Sequence, residues 1–223
     1  DLQIATEIVM NDDSVKVVIL SGAGRGFSAG ADLSERKASW SGSKDALIRG
    51  YKPSFENIIN MPKPVIASVP GPAAGIGAAL AMSCDLRVMS EDSYLLSVFS
   101  NIALVPDGGL SWFLPKFMGY AKAYEHAIEA KKILASDCLK YGIANKVVPS
   151  DQLEQITLDW ANQLAKRSSQ SLNHTKRLMR ESLAMSYWDT FSNEAEIQNE
   201  LTVSDQNREA VKAFFEKREP NFD

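Results

Sequence analysis

The sequence predicts an α/β fold whose C-terminal third is helical, and three observations carry that prediction. Two apolar, β-branched runs, residues 15–20 (VKVVIL) and 65–69 (VIASV), read as buried strands. Each leads into a loop rich in glycine and alanine, and strands go on to alternate with segments of helical periodicity. Beyond Gly109 the apolar spacing is mostly helical.

In chain order, Leu2, Ala5, Ile8 and Val9 recur at helical spacing and stop at Asn11, Asp12 and Asp13, a helix closed by a turn. Asp1 already lies inside that pattern, so an N-terminal piece is expected ahead of it. Strand 15–20 ends in a glycine-rich loop, 21–30. Residues 34–52 are polar, and Trp40, Ser41, Gly42 and Ser43 mark an expected mobile loop. A short helix over 55–60 closes at Met61-Pro62-Lys63-Pro64. Strand 65–69 runs into Pro70-Gly71-Pro72, and the small residues of 73–84 form a helix. Residues 86–89 and 94–98 read as two further strands. Helices are expected over 109–118, 121–129 and 151–166, with three more before the C-terminus. The expected division is a core over 1–145 and a helical region over 146–223.

A chain of 223 residues suffices for one well-buried domain with a helical appendage. Its 45% hydrophobic and 23% charged content is that of an ordinary soluble protein. With 24 Lys and Arg against 28 Asp and Glu, the net charge of −4 argues against nucleic acid as a partner, since phosphate binding needs a basic surface. Cys84 and Cys138 are too few for a disulfide framework, and Cys84, in an apolar run, reads as a buried small residue. No apolar stretch approaches the ~20 residues that span a bilayer, and no signal peptide opens the chain. A reducing, cytoplasmic location is expected.

Several motifs fail on their context. Gly26-Phe27-Ser28-Ala29-Gly30 matches G-x-S-x-G, but that elbow needs its serine on a sharp turn at a strand end. Here Ser21 to Arg25 intervene, and the base would have to be His126 or His174, each inside a charged helical pattern. Gly22 and Gly24 follow a strand, yet Phe27 stands where a dinucleotide fingerprint needs its third glycine. Two lone histidines and two distant cysteines supply no zinc set. Lys176, Arg177 and Arg180 read as a solvated helical face. Two Gly/Ala-rich loops after buried strands remain, and such loops let a substrate approach the main chain closely. That points to catalysis by backbone amides.

The first loop is Gly26-Phe27-Ser28-Ala29-Gly30-Ala31-Asp32-Leu33. The second, residues 64–80 (PVIASVPGPAAGIGAAL), continues to Cys84-Asp85-Leu86-Arg87. Together they resemble the two signature segments of the crotonase (enoyl-CoA hydratase/isomerase) superfamily. Leu104-Val105-Pro106-Asp107-Gly108-Gly109 is similar to the Pro/Gly turn that follows them there. The resemblance runs from residue 15 to the C-terminus, and only the family's N-terminal hairpin is absent. It implies a spiral of ββα units with a helical C-terminal trimerisation region, trimers often pairing into hexamers. It also implies an acyl-coenzyme A thioester substrate and no metal or tightly bound cofactor.

By position, the amides of Ala31 and Ile76 match the family's oxyanion hole, and Phe27, Ala29, Ala31, Asp32, Leu33 and Gly75 match its coenzyme A contacts. Asp32 is expected to order its loop, while Arg25 is open between a phosphate contact and plain solvation. Independently, Ile76 begins the 73–84 helix, where free N–H groups and the positive dipole end face a ligand. An enolate gathers its charge on one oxygen, so two preorganised donors suit it. The family usually has glycine at position 76. A β-branched residue there requires negative φ.

The family's hydratases carry two glutamates, and the matching positions here are Ala79 and Phe99, neither of which can move a proton. Asp107 resembles the acid of enoyl-CoA isomerases and of the ring-epoxide isomerases of aerobic phenylacetate degradation. One carboxylate can remove a proton at one carbon and return it at another. Phe99, Leu104 and Trp112 are its expected apolar walls. Three alternatives stay open: Asp107 as a cap of the 109–118 helix, a hydratase using Glu35, and a non-catalytic acyl-CoA-binding protein.

Overall fold

The computed structural model describes residues 1–34 and 40–222. The chain begins with α1 (Leu2–Asn11) and β1 (Val18–Ser21), and then enters the first loop. After the loop come a single turn, α2 (Ser43–Asp45), a π-helical stretch, Ala46–Tyr51, and α3 (Lys52–Asn60). Next are β2 (Val65–Val69), β3 (Ala73–Ala74) and α4 (Ile76–Ser83), then β4 (Leu86–Ser90), β5 (Tyr94–Leu96), α5 (Leu110–Met118) and α6 (Tyr120–Ile128). The core closes with β6 (Lys132–Leu134), α7 (Ala135–Lys140) and β7 (Lys146–Val148). Four helices follow: α8 (Leu153–Ala165), α9 (Ser169–Ser182), α10 (Tyr187–Thr202) and α11 (Asp205–Glu216).

Two successive turns, β2-β3-α4 and β4-β5-α5, each place one strand in either sheet before a helix, the repeat of a ββα spiral. The larger sheet runs β1-β2-β4-β7 and is parallel throughout. The smaller runs β3-β5-β6, with β6 antiparallel. Every residue of β2 is buried, because both faces of the larger sheet are covered. Val65, Ala67 and Val69 point into the main core with α4 and α5. Ile66 faces the other way, with Val88, onto Leu153 and Ala161 of α8.

Cations from distant parts of the chain close the helix ends. Lys63 Nζ donates to the carbonyls of Val9 and Asp12, both at 2.6 Å, and so caps α1. Buried Arg87 donates to the carbonyls of Ala81, Met82 and Cys84 at the end of α4, and to Ile143. Lys176 on α9 donates to Ile58 O on α3 at 2.8 Å and pairs with Asp85 at 2.8 Å. Arg180, one turn further on, pairs with the other Asp85 oxygen at 2.6 Å. The starts of α9, α10 and α11 are set by Ser168, Ser186 and Ser204, whose hydroxyls accept from the N–H three residues on.

Two expectations are corrected. Lys176 and Arg180 are no solvated face: the Lys176 side chain is 8% exposed, and both tie α9 to the core. Of the trio only Arg177 is exposed. Residues 43–51 are helical rather than loop, because Leu47, Tyr51, Phe55 and Ile59 recur every fourth position and share one apolar wall. Strands β6 and β7, three residues each, carry too little alternation to be read from sequence. Strand β7 lies beyond the 145/146 division, yet it pairs with β4 and completes the larger sheet.

Asp85 neutralises two cations inside the protein and also accepts from the Val65 N–H at 2.9 Å. Asp85→Ala should therefore lose about 3–5 kcal/mol of unfolding free energy, because Lys176 is left without its counter-charge. Denaturant unfolding that shows a loss below about 1 kcal/mol, the range of a surface pair, would contradict this account.

Candidate active site

The first loop is laid along the second by backbone bonds. Phe27 and Ser28 N–H both donate to Pro72 O, at 2.9 and 3.2 Å, and Ala74 N–H donates to Ser28 O at 2.8 Å. Ser28 bridges Ala73 in parallel. The approach is as close as glycine permits. A Cβ on Gly77 would sit 2.5 Å from Ser28 Cβ, and one on Gly30 would sit 3.0 Å from Ala74 O. The next residues along each strand of this contact are Ala31 and Ile76.

Gly75 takes the left-handed φ of +56° that turns the chain into α4. Ile76 then starts the helix at negative φ, as its branched side chain requires. As the first helical residue, it has an N–H with no intrahelical acceptor. Among the described residues, neither the Ile76 nor the Ala31 N–H has a hydrogen-bond acceptor. Ile76 borders two cavities, one of about 680 Å³ containing Asp107 and one of about 330 Å³ containing Ser28, Gly30 and Gly77.

Asp107 stands across the larger cavity's wall on the turn before α5. Its Oδ1 is buried and without a hydrogen-bond partner among the described residues. Burial alone pushes its carboxyl above the usual carboxylate range. It does not cap α5: the capping position is Gly109, which receives no side-chain bond, and only the Asp107 carbonyl accepts from Leu110. Gly108, at φ +59°, brings the turn against α4. A Cβ there would lie 2.5 Å from Ile76 Cδ1 and 2.6 Å from Ala79 Cβ. The small side chain at 79 is thus what lets the Asp107 turn approach Ile76.

The cavity walls differ from those expected. Trp112 lines it, but Leu104 is 51% exposed elsewhere and Phe99 is packed in the core beside Gly75. Tyr51, Phe55, Phe113 and Leu183 take their places. The spacing of 47, 51, 55 and 59 was the signal for the first two. Nothing local announces Leu183 or Arg180, which arrive from α9. Glu35 lies outside the described residues. The remaining carboxylate on the cavity is Glu56, half exposed and paired with Lys52 at 2.8 Å.

On the first loop, Ala29, Ala31, Asp32 and Leu33 are on the surface. Phe27 is taken into the core. Asp32 Oδ1 accepts from Ser34 N–H and Oγ at 2.8 and 2.6 Å, so it orders its own loop. Ser28 Oγ accepts from Gly30 N–H at 3.2 Å, in an irregular loop well past the end of β1, where no nucleophile elbow forms. Burial pushes both cysteine thiols up to about 12, so neither supplies a thiolate near neutral pH. No group of three His, Cys, Asp or Glu side chains is placed to hold a metal, and no helix is long and apolar enough to cross a membrane, among the described residues.

A parallel four-stranded sheet with a ββα spiral, and a helix whose first residue, Ile76, borders the cavity that holds Asp107, define a fold that known proteins share. Residues 1–223 match the enoyl-CoA hydratase/isomerase family. A probable enoyl-CoA hydratase of Rhodobacter capsulatus is 34% identical over 207 residues, covering 93% of this chain and 80% of that one. The 1,2-epoxyphenylacetyl-CoA isomerase of Escherichia coli is 32% identical over 218 residues, covering 96% and 83%. The crystal structure of an enoyl-CoA hydratase from Bacillus anthracis superposes with a TM-score of 0.93 at 27% identity, covering 99% of this chain and 86% of its own. The chain belongs to the enoyl-CoA hydratase/isomerase family, with the crotonase fold, and is an enzyme of that family acting on acyl-CoA.

Ala79 is fully buried and a Cβ on Gly108 would lie 2.6 Å from its Cβ, so a glutamate at 79 would crowd the Asp107 turn. Ala79→Glu should leave water addition to crotonyl-CoA, followed by absorbance, at the level of the unsubstituted chain. Overpacking should destabilise it by about 1–3 kcal/mol. Hydration that appears at unchanged stability would contradict that packing.

Proposed function

We propose that this chain isomerises an enoyl-CoA, moving its double bond through a thioester enolate, with Asp107 as the proton shuttle. The observation that carries this is the Asp107 carboxylate itself: an acid with a buried, unpartnered oxygen, on the same cavity as Ile76, in a chain with Ala79 and Phe99 at the hydratase positions.

The thioester carbonyl accepts from the Ala31 and Ile76 N–H groups. Asp107, as carboxylate, removes a proton from the acyl carbon next to the carbonyl, and the electron pair moves onto the thioester oxygen. One donor of this kind contributes about 2.7–4 kcal/mol to the transition state in a well-studied case. The protonated Asp107 then returns the proton two carbons further along, the double bond shifts, and the carboxylate is restored. A carboxyl group held above its usual pKa is better matched to both halves of this exchange than a solvated one. Coenzyme A lies over the exposed edge of the first loop, near Ala29, Ala31, Asp32, Leu33 and Gly75, with Phe27 reached only through its backbone.

The division into a spiral core and a C-terminal helical region, with that region assembling trimers, belongs to the same reading. Exposed Tyr187, Trp188, Phe214 and Phe215 on α10 and α11 support it, being apolar surface of the kind buried between subunits. The hydratase reading draws support from the names of relatives such as the Rhodobacter capsulatus protein. On the described cavity its acid would have to be Glu56, which is held by Lys52.

The test is deuterium exchange at the acyl carbon next to the thioester, comparing the wild type with Asp107→Asn. Exchange should fall by about 10²–10⁴-fold. Stability should move the other way. Burial raises the folded-state pKa of Asp107 above its unfolded value of about 3.9, so ionising it destabilises the fold as pH rises through the folded pKa. Asp107→Asn should therefore melt no lower than the wild type at neutral pH, and its relative advantage should vanish at a pH below that unfolded value. Undiminished exchange in the variant would remove Asp107 from the mechanism.

A further inference from the structure

A second cavity, of about 540 Å³, lies behind the first, between α4, α5 and α9. The two share Trp112, Phe113, Arg180 and Leu183 as lining, so the wall between them is one side chain thick. Two of those four are fixed. Phe113 is buried in the core, and Arg180 is held by Asp85 and by Ser83 O at 2.8 Å. The other two, Trp112 and Leu183, are 47% and 52% exposed. The Trp112 ring meets the edge of Phe113, at 4.9 Å between ring centres, and the Lys116 ammonium, 4.5 Å over its face.

The rear chamber is suited to hydrocarbon. Four cations border it, and each already has partners: Lys176 and Arg180 on Asp85, Arg87 on backbone carbonyls, Lys116 on the Trp112 ring. Lys176, Arg180 and Arg87 are held by oxygen acceptors, while Lys116 is exposed. Between them lie Met82, Phe117, Leu172 and Met179, and the two thioethers adapt to whatever shape fills the space.

Resting on the acyl-thioester reading above, we infer that Trp112 and Leu183 form a movable partition between two chambers of one acyl site, and that this chain takes linear long-chain acyl thioesters whose tails pass beneath α9. A compact aromatic acyl group would fill the front chamber alone.

Binding of saturated acyl-CoA thioesters, from butyryl to palmitoyl, together with phenylacetyl-CoA, tests this by calorimetry without any turnover. Wild-type affinity should keep rising beyond octanoyl, by up to about fourfold per buried methylene. Leu183→Trp should close the passage and lower the palmitoyl-to-butyryl affinity ratio on the order of fiftyfold, the equivalent of about three methylenes. Leu183→Ala and Trp112→Ala should raise that ratio. Leu183 sits half exposed just past the end of α9, so its variants read the partition even if Trp112→Ala fails to fold. A plateau at hexanoyl with the same ratio in all variants would overturn the inference, as would tighter binding of phenylacetyl-CoA than of any long chain. Saturated thioesters need no proton shuttle, so failure of isomerase activity leaves this result standing. A wild-type chain that binds no thioester would end both readings.

Discussion

The eight-residue helix α4 is the constraint on which the rest of this structure depends. All of its residues but Leu80 are buried, and it has almost no polar side chains with which to hold itself in place. Its N-terminus must nevertheless keep the Ile76 N–H without an acceptor, beside two cavities. The fold achieves this from the opposite end, where Arg87 takes the carbonyls of Ala81, Met82 and Cys84 and Arg180 takes that of Ser83. Positive charge at the C-terminus and an unsatisfied donor at the N-terminus both suit the helix dipole. The arrangement also explains why α9, more than 80 residues away in the chain, is locked to the Asp85 that follows α4. A shift of about 1 Å at a reacting centre can change a rate on the order of 10²-fold, so rigid clamping at one end serves chemistry at the other.

The same helix decides which acid the cavity can hold. A glutamate at 79 would crowd the Gly108 turn, because Ala79 is fully buried and its Cβ already faces that glycine. With alanine there, the turn carrying Asp107 closes onto α4 and delivers a carboxylate to the cavity wall. A buried carboxylate oxygen without a partner opposes folding. Its persistence on a cavity that Ile76 also borders supports the role proposed for Asp107.

The positions proposed to face the ligand were largely legible in the sequence, and those that hold them were not. Gly75, Ile76 and Gly77 follow a fully apolar strand, and Asp107 sits between proline and two glycines, so local sequence alone fixes their neighbourhoods. The helix through Leu47 and Tyr51 was hidden because the polar residues around it dominate a window that short. The cations were hidden for a different reason. Lys63, Lys176 and Arg180 look like ordinary surface charges in their own segments, and each becomes a cap or an ion pair only through partners 54, 118 and 95 residues away. Composition and periodicity carry no trace of such pairings, and the far wall of the cavity, Leu183 included, arrives by the same route.

The account stands or falls on the Ile76 N–H. Proline is tolerated at the first position of a helix, so Ile76→Pro deletes that donor while leaving α4 able to form. Ile76→Val controls for the altered side chain. Exchange at the acyl carbon next to the thioester, with circular dichroism to confirm helical content, should fall by about 10²–10³-fold in the proline variant relative to the valine variant. Equal exchange in the two would contradict the claim that a main-chain donor at this position carries the developing charge.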